Sequence, residues 1–150
     1  MYSLFIVAIL AQMPSAGPTY ATTLNATANA ARAEYGLPPL TEDAALNELC
    51  QNWANYMART GRFHHGGGEN IIAMGQSSCQ SAMNAWLSSP GHRAHVLGGG
   101  RLAGWGHAVS SSGYHYWAGV FRGSSGGGSS VAYSSGGSNY RRGFFRIRRR

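Results

Sequence analysis

The spacing of apolar residues shifts along this chain from helical to strand-like, and that order limits the folds open to it. Leu46, Leu49, Cys50, Trp53 and Met57 recur three and four residues apart, which predicts a helix with one buried face, stopped at Gly61. Upstream, LNATANAARAEY at 24–35 is rich in helix-forming alanine and runs into Gly36, Pro38 and Pro39, the expected order of stop signals. Thr41 is placed to cap the second helix, with Glu42 and Asp43 in its first turn where negative charge suits the helix dipole. A third helix is predicted over 78–87, because Cys79, Ala82, Met83, Trp86 and Leu87 share one stripe, and HRAHVL at 92–97 reads as a short fourth. Strand character is confined to ENIIA, and to LAGWGHAVS and YHYWAGVF, which flank Ser111, Ser112 and Gly113 as a hairpin. Helices first and hairpin last, with no βαβ alternation, predict an α+β fold and exclude a doubly wound parallel sheet.

The 150 residues suffice for one domain, predicted over 22–122, and exclude a two-domain enzyme. The formal charge of +7 is unevenly spread: six arginines face five acids within 22–122, while the other six arginines lie in 141–150. The basicity therefore belongs to the tail, and no specific nucleic-acid partner is predicted for the folded part. That tail, RRGFFRIRRR, follows a linker-like Gly/Ser-rich stretch at 123–140 and is suited to an anionic surface through its charge and Phe144, Phe145 and Ile147; a solvated end without a partner is the alternative. At the other end, residues 1–21 read as a secretory signal: the apolar run Leu4–Leu10 is too short to span a bilayer, and small residues permit cleavage after Ala21 or Ala16. No Lys or Arg precedes the run, and a buried N-terminal helix is the competing reading. Export implies a secreted, extracellular or periplasmic protein with no transmembrane anchor in the mature chain.

Cys50 and Cys79 are an even pair in a chain read as exported, where a disulfide would persist; both also sit on apolar helix stripes, so two buried free thiols are an equal alternative. Between the second helix and the first strand lies HHGGGEN, which brings His64, His65 and Glu69 together on a glycine-rich turn. His92 and His95 follow, three apart in a helical turn. Imidazoles and a carboxylate suit either a divalent transition metal or general acid–base work; the competing reading is a polar turn that hydrogen-bonds itself. Rival motifs fail. HGGG at 65–68 and GSSGG at 123–127 imitate hydrolase segments, but that serine sits in the linker with no Asp, Glu or His after it. The chain has no lysine for a phosphate-binding loop, and no H-E-x-x-H.

Taken together, Asn29, Arg32, Gly36 and LPPL at 37–40, the Trp53–Ala54 pair, His64 five residues before the glutamate of GEN, SPGHR at 89–93, GWG at 104–106 and YHYWAGVF resemble the CAP (SCP) superfamily. That group includes cysteine-rich secretory proteins, insect venom allergens and plant pathogenesis-related proteins. The resemblance implies a three-layer α-β-α sandwich with a small antiparallel sheet and a central cleft lined by two histidines and two glutamates. His64, Glu69 and His92 match three of those four positions, and Ser89 stands where the second glutamate is expected. His65, His95 and Asn70 are the secondary cleft candidates. With one glutamate missing, the resemblance implies a non-enzymatic binding module for a lipid, peptide or glycan. The alternative is a metal-dependent hydrolase in which His64 and His92 hold a divalent ion such as zinc and Glu69 serves as ligand or base.

Overall fold

The computed structural model describes residues 19–123; most of the stretch read as a signal at 1–21, and the expected linker and arginine-rich tail after Gly123, lie outside them. In chain order the elements are α1 (Tyr20–Glu34), β1 (Thr41–Glu42), α2 (Ala44–Thr60), β2 (Ile71–Met74), α3 (Cys79–Ser88), α4 (Pro90–Val96), β3 (Leu102–Val109) and β4 (His115–Arg122). The sheet has the order β1-β3-β4-β2. Strands β3 and β4 form the expected hairpin, with Leu102 opposite Arg122 at one end and Val109 opposite His115 at the other.

Two expectations about the ends of elements are corrected. Thr41 does not cap α2: it pairs with Leu102 in β1, which runs parallel to β3, so the sheet is mixed rather than antiparallel. Asp43 is the cap, its carboxylate accepting from the Leu46 N–H at 2.9 Å. Helix α1 starts at Tyr20, capped by Thr19, four residues before the predicted start and two residues upstream of a cut after Ala21. Gly61 ends α2 as expected, in the left-handed region at φ 69° with its N–H on the Met57 carbonyl.

Alternation along the strands sorts side chains to two cores. On one face Trp105, Trp117, Phe121 and Ile71 pack with Leu24 of α1, Met83 and Trp86 of α3 and Val96 after them. On the other, Ile72, Tyr116, Ala118 and Val120 pack against Cys50 and Met57 of α2. The result is a three-layer α-β-α sandwich. Helix α2 lies directly on β3: a Cβ on Gly104 would fall 2.2 Å from the Leu46 carbonyl carbon, and one on Gly106 2.2 Å from that of Cys50. Only glycine permits so close an approach.

The two layers also settle the cysteines, which are free thiols. Cys50 belongs to the α2 core and Cys79 to the opposite one, with the sheet between them. Their S–H groups bond instead to the carbonyls of Gly104 (3.4 Å) and Tyr20 (3.8 Å). The candidate disulfide is therefore not formed. Burial pushes the Cys50 thiol up to about 12, which makes it inert as a nucleophile at neutral pH.

Polar side chains close the remaining gaps. Asn29 pins the Leu40 backbone through both its N–H (2.7 Å) and its carbonyl (3.0 Å). Buried Arg32 donates to the carbonyls of Pro38 (2.9 Å), Val96 (2.8 Å), Gly98 (2.9 Å) and Gly100 (3.4 Å), tying α1 to the segment that leads from α4 into β3. Along the border of β3 beyond the short β1, Asn47 accepts from the Trp105 N–H at 2.9 Å. Gln51 accepts from the His107 N–H at 3.2 Å and donates to its carbonyl at 2.6 Å.

Candidate functional site

The glycine-rich turn carries the site because glycine lets it lie flat on α2. A Cβ on Gly67 would meet the Trp53 ring at 2.6 Å, and Gly68 takes φ 87°. This folds the turn back so that its own amides face Glu69: the Gly67 N–H donates to Oε2 at 2.7 Å and the Gly66 N–H to Oε1 at 3.2 Å. His65 Nδ1 lies 2.9 Å from the same Oε1, and the Glu69 side chain is fully buried. Asn70 locks the turn to the sheet, its N–H on the Gly119 carbonyl at 2.8 Å and its Oδ1 accepting from the Phe121 N–H at 2.7 Å. Arg122 adds bonds to Asn70 Oδ1 (3.1 Å) and to the Gly68 carbonyl (2.8 Å).

The imidazoles divide. His64, the expected cleft residue, turns to the α2 side, where it sits edge-on to Trp53 and Tyr56 with centroids 5.2 and 6.0 Å away. Its carbonyl accepts from Trp53 Nε1 at 3.1 Å. His65 takes the place beside Glu69. His92, at the start of α4, has its pKa lowered by burial and then by the nearby positive charges of His65 and His95. His95 stacks on Phe121, with centroids 6.3 Å apart and rings 11° from parallel. The sequence groups His64 and His65 with Glu69 on one turn, and of the two it is His65 that meets the carboxylate.

A zinc ion at His64, Glu69 and His92 does not fit this arrangement. Both Glu69 oxygens accept backbone amides, and His64 faces Trp53 and Tyr56. Among the described residues no group of three or more His, Cys, Asp and Glu is placed to hold a metal. Glu69 is instead the hydrogen-bonded centre of its own loop.

A second face carries open grooves. Helices α1 and α3 border a trough of about 480 Å³ lined by Ala26, Ala30, Ala31, Met83 and Leu87, with Thr27, Glu34, Gln80 and Asn84 also on its walls. It runs through a junction at Glu34, Tyr35 and Arg93 into a pocket of about 370 Å³ formed by Leu87, Pro90, Ala94 and Leu97. Arg93 is fixed there by a 2.7 Å bond to the Tyr35 hydroxyl, its guanidinium 5.4 Å from the ring centre. Sequence periodicity did not single out this trough, because it forms where alanines of α1 leave space beside α3. It also missed His107 and His115, which only the hairpin register brings together.

A helix-sheet-helix sandwich with this turn and α4 defines a CAP-type domain, and the comparisons agree. The model of the cysteine-rich secretory protein family, CAP, matches residues 26–121, and the chain belongs to that family. It is 36% identical over 65 residues to the secreted protein RBT4 of Candida albicans, a stretch covering 42% of this chain and 18% of that protein. The fold is similar to an outer surface protein of Borrelia burgdorferi, with a TM-score of 0.59 and 18% identity over 67% of this chain and 90% of that one. It is also similar to an extracellular SCP-domain protein of Bacillus anthracis, with a TM-score of 0.53 and 20% identity over 69% and 40% of the two chains. Among the described residues, no helix is long and apolar enough to cross a membrane.

Proposed function

We propose that this protein is a secreted, non-enzymatic CAP module that binds a lipid acyl chain in the trough between α1 and α3. The observation that carries this reading is the continuity of the trough with the α3–α4 pocket: Ala26, Ala30, Ala31 and Leu87 form its apolar floor, Thr27, Gln80 and Asn84 stand on its walls, and its charged groups meet at Arg93 and Glu34. A concave apolar groove with few polar groups is the ordinary form of a small-molecule site, and the guanidinium supplies a counter-charge for a carboxylate or phosphate head. The hydrolase alternative is opposed by the full burial of the Glu69 side chain, which His65 and the amides of its own loop enclose. Location outside the cytoplasm follows the family and the name of the Candida relative.

Displacement of a fluorescent fatty acid from purified protein tests the proposal. Long-chain fatty acids are expected to displace the probe, and Ala31→Trp, which fills the trough, is expected to weaken binding at least tenfold with unchanged circular dichroism. Equal affinity in the variant, or displacement by soluble peptides or glycans and not by fatty acids, would refute the acyl-chain reading.

A further inference from the structure

The large apolar side chains left exposed among the described residues are not scattered. Tyr35 stands apart, whereas Tyr20, Phe63, Met74, Val109 and Tyr114, each at least 40% exposed, belong to the end of the sandwich where β3 turns into β4. Val109 and Tyr114 flank that turn. Met74 ends β2 opposite Tyr116, and the next N–H, of Gly75, bonds the His115 carbonyl at 2.9 Å. Tyr20 opens α1 with its ring against His107 and Trp117. Phe63 follows the Gly61 cap of α2, whose last turns reach the hairpin: Ala58 and Arg59 share a hollow of about 300 Å³ with Val109 and Ser110.

The fold does not require apolar residues at these places. The turn is closed by Gly113 at φ 81° and by bonds within the loop, from the Ser110 N–H to the Tyr114 carbonyl (2.8 Å) and from the Tyr114 N–H to Ser110 Oγ (3.0 Å), which ask nothing of the side chain at 114. Single exposed apolar residues are ordinary, but their gathering at one end marks a contact surface. Charge sorts the same way. Arg59 and Arg62 stand at this end, and residues 71–92 and 102–121 carry no Asp, Glu, Lys or Arg. The five acids lie elsewhere. Glu34 closes α1 about 20 Å from Tyr20, Glu42 and Asp43 sit beside Ala103, Glu48 is in the first half of α2, and Glu69 is enclosed by its own loop.

We propose that this end is a peripheral membrane-contact face, which seats Tyr114, Val109 and their neighbours in the headgroup layer of an anionic bilayer with Arg59 and Arg62 on lipid phosphates. Tyrosine suits that layer because its ring is apolar while its hydroxyl stays hydrated. Such adsorption grows with the apolar area buried and with the attraction of basic side chains to anionic lipid, and no carboxylate opposes it here. A second copy is the poorer occupant: a two-fold contact through this face would set the arginines of one copy against those of the other with no acid between them. The face is separate from the trough, whose charged junction at Glu34 and Arg93 is at the other end of α1.

Two full-length reporters test the face, Tyr114→Trp at the hairpin and Ala45→Trp at the exposed start of α2. Each is mixed with vesicles of equal parts phosphatidylglycerol and phosphatidylcholine, the latter brominated on its acyl chains. The native tryptophans contribute alike to both. Bromine is expected to quench the Tyr114→Trp protein at least twice as strongly as the Ala45→Trp protein, and vesicles of phosphatidylcholine alone are expected to quench neither. Adding Arg59→Gln and Arg62→Gln to the first is expected to raise the lipid concentration at half-maximal quenching at least threefold. Equal quenching of the two reporters, as adsorption through residues 141–150 alone would give, overturns the proposal. So does equal quenching by neutral vesicles, an unchanged midpoint without the arginines, or a dimer in sedimentation that Tyr114→Ser dissolves. The parent decides it even if a reporter fails to fold: the anionic vesicles are expected to slow amide deuterium exchange at 110–114 and not at 44–48, and no slowing at the hairpin overturns the proposal.

Discussion

Acidification from pH 7 to pH 5 is expected to weaken the fold through His107. Its imidazole, about 6.5 when the chain is unfolded, titrates at about 4 in the folded protein because burial, followed by the charge of His115, opposes protonation. The unfolded state then binds the proton first. Stability is accordingly full above pH 6.5 and falls as the pH drops toward 4, by up to about 1.4 kcal/mol per pH unit for one group. The shift alone would give about 2 kcal/mol by pH 5, and the solvent-facing side of the pair screens part of it, leaving about 1–2 kcal/mol. His92, whose pKa is also lowered, adds in the same direction, so the contribution of His107 must be read against a variant. Urea unfolding of the parent and of His107→Gln at pH 7, 6 and 5, followed by tryptophan emission, isolates it: glutamine is uncharged across the range and keeps a hydrogen-bonding end. The two proteins are expected to diverge by pH 5, with the parent losing more stability than the variant. Parallel losses would refute the assignment of the pH sensitivity to this imidazole.

Gly106→Ala should cost about 3 kcal/mol or prevent folding, since its methyl group meets the α2 backbone at 2.2 Å; thermal melts report this, and an unchanged melting temperature would contradict the direct contact of helix and strand. Arg32→Met leaves the carbonyls of Pro38, Val96, Gly98 and Gly100 without their donor and should destabilise by about 3 kcal/mol or more in urea titrations. Glu69→Gln turns one acceptor oxygen into a donor facing an amide, so about 1–3 kcal/mol should be lost and the Gly66 and Gly67 amides should exchange faster with deuterium; slow exchange in the variant would mean that the carboxylate does not hold the turn.

The helices and the hairpin were legible because their apolar residues keep one period for several turns or residues, as Leu46 to Met57 and Ala103 to Phe121 show. Strand β1 was not, because two residues carry no period; its pairing with Leu102 is decided by what lies on the distant strand. Whether Cys50 and Cys79 pair stayed open in the linear sequence, which cannot show that their helices pack on opposite faces of the sheet. At the turn, HHGGGEN was recognisable as a unit, yet which histidine meets Glu69 depends on Gly66 and Gly67 lying against Trp53, a contact between segments. The His107–His115 pair needed the hairpin register, which adjacent residues do not encode. The family motif at Asn29 and Arg32, in contrast, was visible early, and its reason is now plain: both side chains hold backbone that has no strand or helix partner.

A glutamine or asparagine carries the same carbonyl and N–H chemistry as the main chain, so Gln51 and Asn47 act along β3 as two counterfeit peptide units borrowed from a helix. On the far side of the sheet the indole of Trp86 does a similar service for the Ile72 carbonyl at 3.0 Å. A small protein released into a medium crowded with other chains would otherwise offer both margins as templates for cross-β growth. Here the Trp105 and His107 N–H groups and the His107 and Ile72 carbonyls are taken by side chains, which leaves fewer free groups on either margin for another chain to pair with.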